Sequence, residues 1–183
     1  SLTAANYHFI YVNGILNVIP QEASFFDNFV RDTEPGVLSP WIAQLGNWVV
    51  TNGRLVGGEN PPGYGFVYVN TNWNNYSVEG RIQFAADAFA GGLAGRLNPA
   101  TGGHYAAWVY PNALGGPVLK LIKFQDWGNY GYNGVNEAIM TQASLPAVGT
   151  APHTLKLQFE GNRIQVFFDG ATTPVADVTD VEA

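Results

Sequence analysis

The sequence predicts an all-β protein: an antiparallel two-sheet β-sandwich with a β-hairpin extension at its N-terminus. Three observations predict it. Apolar and polar residues alternate with period two along most of the chain, which places one side of each strand in a core and the other toward water or a partner. Turn residues recur at about the 8- to 12-residue spacing of sandwiches and barrels. Helical periodicity is scarce.

Each element can be justified in order. Residues 1–20 read as a separate hairpin segment. In "NYHFIYVNGILNVIP", residues 7–12 and 15–19 are aromatic or β-branched and alternate, and Asn13-Gly14 between them is a two-residue hairpin turn. Residues 21–183 read as the sandwich. Trp48 to Leu55 holds a second Asn-Gly turn at Asn52-Gly53. Tyr76, Val78, Ile82 and Phe84 alternate with Ser77, Glu79, Arg81 and Gln83. Tyr105–Tyr110 and Val118–Phe124 form a strand pair joined by "PNALGGP". Leu155, Leu157 and Phe159 alternate with Lys156, Gln158 and Glu160; Ile164, Val166 and Phe168 follow, across a Gly161-Asn162 turn. Asn136 to Ala143, "NEAIMTQA", is rich in helix formers and is the best candidate for a short turn or helix. Two longer loops, 57–65 and 125–137, have the length at which loops carry binding more often than mere connection.

Composition narrows the function classes. The 183 residues suit one domain, or one domain and a fragment, with a real core. Charged residues make up 12%, about half the usual share, while aromatics reach 14%. Such a surface recognises partners through amides, hydroxyls and rings. The net charge of −6 and eight scattered Lys and Arg exclude a nucleic-acid footprint. No apolar run has the length of a membrane span. There is no Cys, hence no disulfide or thiolate site. Few Lys, many Asn, Gly and Tyr and no Cys fit a bacterial exported protein, extracellular or at the cell surface. The chain opens at Ser1 with neither initiator Met nor signal peptide, so a processed or excised piece is expected.

From Phe25 onward, the motifs "FFDNF", "WIAQLGNWVVTNGRL", "NWNNYSVEGRIQF", "GGLAGRL", "HYAAWVY" and "PHTLKLQFEGNRIQVFFDG" follow in an order that resembles the laminin-G-like, concanavalin-A-like jelly-roll family. The resemblance covers about 145 residues. It implies an opening strand at "FFDNF" and two strands after the Asp169-Gly170 turn. Because the chain stops at "DVTDVEA", the sandwich is expected to lack its usual last strands and to expose a strand edge. Residues 1–20 resemble the closing hairpin of a bacterial immunoglobulin-like surface repeat.

Catalytic constellations are not found. Glycosidases of this family are implied to use paired carboxylates about 5 to 9 Å apart, and the retaining glucanases a Glu-x-Asp-x-x-Glu strand that this chain lacks. Asp177, Asp180 and Glu182 are the nearest acidic cluster and read as a solvated tail. No Gly-x-Ser-x-Gly occurs. His8, His104 and His153 lack metal-ligand spacing, and His153 reads as a packed or hydrogen-bonded strand residue. The chain is therefore expected not to be an enzyme, with a glycoside-processing activity kept as a minor alternative, and no cofactor is expected. The resemblance does imply rim calcium sites built from Asp and carbonyl oxygens, for which Asp87, Asp126 and Asp169 are weak candidates, Asp169 reading better as a turn residue.

Two function classes follow. In the first, the chain is a non-catalytic extracellular structural or adhesive protein that assembles with copies of itself, head to tail, by strand addition into a filament or surface layer. The donated residues would be Tyr7, Phe9, Tyr11, Ile15, Leu16, Val18 and Ile19. In the alternative, it is a glycan-binding, lectin-like module of a larger surface protein. Trp127, Tyr130 and Tyr132 would supply ring faces, and Asn129 and Asn133 the amides that bond sugar hydroxyls. Trp73 and Tyr76, by contrast, read as packing under a loop.

Overall fold

The computed structural model describes residues 7–12, 15–20, 25–57, 65–127 and 139–183; for 7–20 it is the backbone pairing that is described. The strands are β1 (Tyr7–Val12), β2 (Ile15–Pro20), β3 (Ile42–Leu45), β4 (Trp48–Thr51), β5 (Arg54–Gly57), β6 (Phe66–Tyr68) and β7 (Tyr76–Ile82). They continue as β8 (Gly91–Gly95), β9 (His104–Tyr110), β10 (Val118–Phe124), β11 (Ile139–Ser144), β12 (His153–Glu160), β13 (Arg163–Phe168) and β14 (Ala176–Thr179). All pairing is antiparallel. The all-β expectation holds.

The chain divides into two compact units. The first comprises Ser1–Ser39 and Trp48–Gly57. Here β1 and β2 form a two-stranded sheet of their own, with Tyr7 opposite Pro20 and Val12 opposite Ile15. β4 and β5 form another hairpin, turned by Asn52 (φ 51°) and Gly53 (φ 66°). Two successive positive φ values define the type I′ turn that the Asn-Gly pair favours. Residues 25–29 are not a strand, contrary to what the resemblance implies. The Asp27 carboxylate closes a local turn instead: it accepts from Phe29 N–H at 2.7 Å and from both terminal nitrogens of Arg31 at 2.9 and 2.7 Å. That fork competes with extended backbone for the same carboxylate.

The second unit, Pro40–Asn47 and Gly58–Ala183, contains the sandwich. One sheet has the order β11-β10-β9-β8 and the other β14-β13-β12-β7. Alternation sends Tyr105, Ala107, Val109, Leu119 and Leu121 from the first sheet against Leu155, Leu157, Phe159, Ile164, Val166 and Phe168 from the second. Fully burying each Val, Leu, Ile or Phe among them is worth about 1.5–3 kcal/mol, so this interface dominates the stability of the unit. After Asp169-Gly170 the chain supplies one strand, β14, paired to β13, where the resemblance implies two.

Two expectations are corrected. Residues 139–144 are strand β11, not helix: they pair with β10 through a register shift between Leu121 and Ile122. Helix propensity is a weak prior, and an open ladder edge beside a buried strand outweighs it. Nor is the acidic tail merely solvated: its carboxylates are paired, although Asp177 and Glu182 stay exposed. Asp177 forks to Arg163 at 2.9 and 2.5 Å. Asp180 and Glu182 meet Lys123 Nζ at 2.6 and 2.7 Å, and Tyr105 donates to Asp180 at 3.1 Å. The tail thereby fastens β10 of one sheet to the end of β14 in the other.

Candidate functional site

The site begins with the composition of β9, "HYAAWVY", which is apolar or aromatic on both faces. Its odd-numbered residues enter the inter-sheet core. Its even-numbered residues, His104, Ala106, Trp108 and Tyr110, face outward. There Ala106, Ile122 and Phe124 form a second buried cluster, with Phe66 of β6 and Trp108 packed against it. A strand apolar on both faces needs cover on both, and β6 supplies part of the outer layer.

The outward rings form a continuous series. Tyr68 lies 5.7 Å from Trp127, centroid to centroid, and Phe66 lies 5.6 Å from Trp127 and 5.3 Å from His104. His104 stacks on Phe124 at 4.3 Å with the ring planes 10° apart. Phe124 lies 5.3 Å from Trp108, Trp108 6.3 Å from Tyr110, and Tyr110 5.6 Å from Phe89. The offset and edge-on contacts are those that aromatic quadrupoles prefer.

Exposure changes along the series. In its middle His104 and Phe124 are 3% and 2% exposed; at one end Phe89 is 74% exposed. Trp108 lies between and is half-buried. Pairing register puts Gly92, Trp108, Lys120 and Gln142 in one row across β8, β9, β10 and β11. Gly92 and Ala94 on one side of Trp108 are exposed and bring little or no side chain, and Gln142 on the other is exposed too. Lys120 Nζ stands 4.7 Å above the Tyr110 ring, a cation–π contact. An indole with open, small neighbours on one flank and an ammonium and an amide on the other is what an apolar sugar face with hydroxyls at its rim would fit.

Beside His104 and Trp127, Gly102 does two jobs. Its φ of +87° lies in the left-handed region, and a Cβ there would collide with the backbone and indole of Trp127. Its carbonyl oxygen lies 2.7 Å from His104 Nδ1. A carbonyl only accepts, so Nδ1 carries the proton. Burial pushes the His104 pKa below its ordinary value, against the opposing effect of the Gly102 carbonyl, and keeps the ring neutral. Nε2 is then a bare acceptor, and it is buried without a hydrogen-bond partner among the described residues.

Of the residues singled out in sequence, Trp127 takes its place in this series. Asn129, Tyr130, Tyr132 and Asn133 lie outside the described residues, as do the side chains of Tyr7, Phe9, Tyr11, Ile15, Leu16, Val18 and Ile19. Trp73 packs on Tyr76 at 5.7 Å, and Tyr76 on Phe159 at 5.1 Å, so that pair serves the core. Asp169 is spent on the hairpin: one carboxylate oxygen accepts from Thr154 N–H at 3.0 Å and the other meets His153 at 2.8 Å. Asp87 is exposed in the turn before β8, and Asp126 is half-buried beside Trp127. Among the described residues no three His, Asp or Glu side chains come together as a metal site. Sequence reasoning missed Trp108, Phe66 and Tyr68. The uninterrupted apolar run of β9 was the signal that could have found the outer layer.

No family model matches the sequence, nor does any curated protein sequence. Among solved structures, the carbohydrate-binding module CBM66 from Bacillus subtilis is similar in fold, with a TM-score of 0.61 and 22% identity over 76% of this chain and 79% of that one. At that identity the likeness is one of architecture, and it agrees with the jelly-roll β-sandwich.

Proposed function

We propose that this chain is a carbohydrate-binding module of an exported or surface protein, without catalysis of its own. It binds glycans on the outer face of the β8–β11 sheet. The observation that carries the reading is the half-buried Trp108 in a cross-strand row with Gly92, Lys120 and Gln142. A ring stacks on the indole, and the flanking ammonium and amide bond its hydroxyls. Fold likeness to a carbohydrate-binding module supports the reading, and so does an outward series of aromatic rings running from Trp127 to Phe89. A glycan array followed by affinity electrophoresis tests it: retardation by a bound glycan, abolished by Trp108→Ala, is expected. A blank array would sink the proposal.

A second reading, self-assembly by strand addition, has one observation in its favour. β1 and β2 form a sheet of just two strands, so each pairs on one side only among the described residues. An open edge of that kind is a template for another strand. Sedimentation of the whole chain across a dilution series tests it; a monomer at every concentration rules the filament out.

A further inference from the structure

The buried Nε2 of His104 is the anomaly that the packing of the second cluster leaves behind. Its ring is held from three sides: Phe124 stacked at 4.3 Å, Phe66 edge-on at 5.3 Å and Trp127 tilted at 6.4 Å. The proton is fixed on Nδ1 by the Gly102 carbonyl, so Nε2 presents a lone pair among apolar rings. A buried acceptor with no donor costs stability, and native structures leave few of them. A phenylalanine at this position would keep the stack on Phe124 and remove the orphaned acceptor, at the expense of the Nδ1–H bond to the Gly102 carbonyl. The Gly102 bond accounts for Nδ1; a donor arriving from outside would account for Nε2 as well.

We propose that His104 Nε2 accepts a hydrogen bond from a hydroxyl of the bound glycan, in a subsite bounded by Phe66, Phe124 and Trp127. The inference rests on the carbohydrate-binding reading and deepens it. It makes His104 the residue that reads one particular hydroxyl, while the rings beside it hold the apolar face of the same sugar. A neutral imidazole with its proton fixed elsewhere can only accept, so the subsite selects an O–H donor and rejects an ether or ester oxygen at that position. Nε2 has no contact with solvent in this structure, so occupation of the subsite displaces a neighbouring ring.

The test uses the whole chain, labelled with 15N, and four probes: laminarin, xyloglucan, mannan and polygalacturonate. With a polysaccharide that retards the protein in affinity electrophoresis, the His104 Nε2 resonance is expected to move upfield as the lone pair becomes engaged. His104→Phe is expected to weaken that binding about tenfold. His104→Gln, which retains an acceptor, should lose less. A probe that binds while the His104 resonance stays put, with His104→Phe binding unimpaired, overturns the role of His104 and leaves the carbohydrate reading standing. If none of the four binds, both fall. Should His104→Phe not fold, the resonance of the parent protein decides alone.

Discussion

His153 Nδ1 lies 2.8 Å from Asp169 Oδ2, and Nε2 of the same ring lies 2.9 Å from the Val148 carbonyl oxygen. Both partners are acceptors, so both ring nitrogens must donate, which only the imidazolium can do. The hydrogen bond to Asp169 raises the His153 pKa above 6.5, with burial opposing and the Val148 carbonyl adding to it. For Asp169, burial acts upward, but the bonds from His153 and Thr154 prevail and its pKa falls below 3.8.

The pH dependence of stability follows. A raised His pKa contributes stability that is fully present below pH 6.5 and is lost as pH rises through the folded value. The lowered Asp169 pKa contributes above 3.8 and is lost as pH falls through its folded value. This pair therefore helps most between those limits. Thermal melts from pH 5 to 9 should show the parent losing more stability above neutrality than His153→Gln; parallel curves would refute the imidazolium.

Asp180→Ala should destabilise the sandwich by about 2 kcal/mol, since it strands charge-assisted partners in a poorly solvated place. Lys123 and Asp180 side chains are each 12% exposed. Burial acts to lower the Lys123 pKa, but the hydrogen bonds it donates to Asp180 and Glu182 hold it well above 10.5. Glu182→Ala should cost much less, because that side chain is 56% exposed and salt screens it. Urea denaturation in low and high salt separates the two.

These ion pairs also show where sequence reading ends. Asp180 meets Lys123 from 57 positions away, a contact that no local pattern announces. The Asn52-Gly53 turn and the period-two strands at 76–82, 153–160 and 163–168 were legible because backbone chirality and pleat impose them locally. Residues 139–144 misled because Ala, Met and Gln favour helix, while the edge of β10 dictates strand. The outer aromatic layer was half legible. Trp127 stood out in a loop, but Trp108 was hidden within an apolar strand, and Phe66, packed against the same buried cluster, comes 42 positions earlier in the sequence.

Gly102→Ala should loosen the ring series around Trp127 and His104. The new Cβ meets Trp127 and must also adopt a φ of +87°, so a loss of about 2 kcal/mol or more is expected. The accompanying signal is a red shift of tryptophan emission as the Trp127 indole moves toward water. An unshifted spectrum with unchanged stability would mean that the glycine is not what seats the indole.

Trp108→Ala and Trp73→Ala should separate binding from folding. Trp73 leans on Tyr76, whose ring packs on Phe159 in the inter-sheet core and whose hydroxyl accepts from Arg96 N–H. Removing Trp73 withdraws cover from that arrangement and should lower stability by about 1–3 kcal/mol while leaving glycan retardation intact. Trp108 is half-buried on the outer face, packed against the smaller cluster of Ala106, Ile122 and Phe124. Its loss should also cost stability, yet the larger effect falls on binding, because no other ring in the Gly92–Gln142 row can replace the stacking surface. Measured side by side, chemical denaturation ranks the two in stability and affinity electrophoresis in binding. Equal retardation of both variants would place the sugar elsewhere than on Trp108.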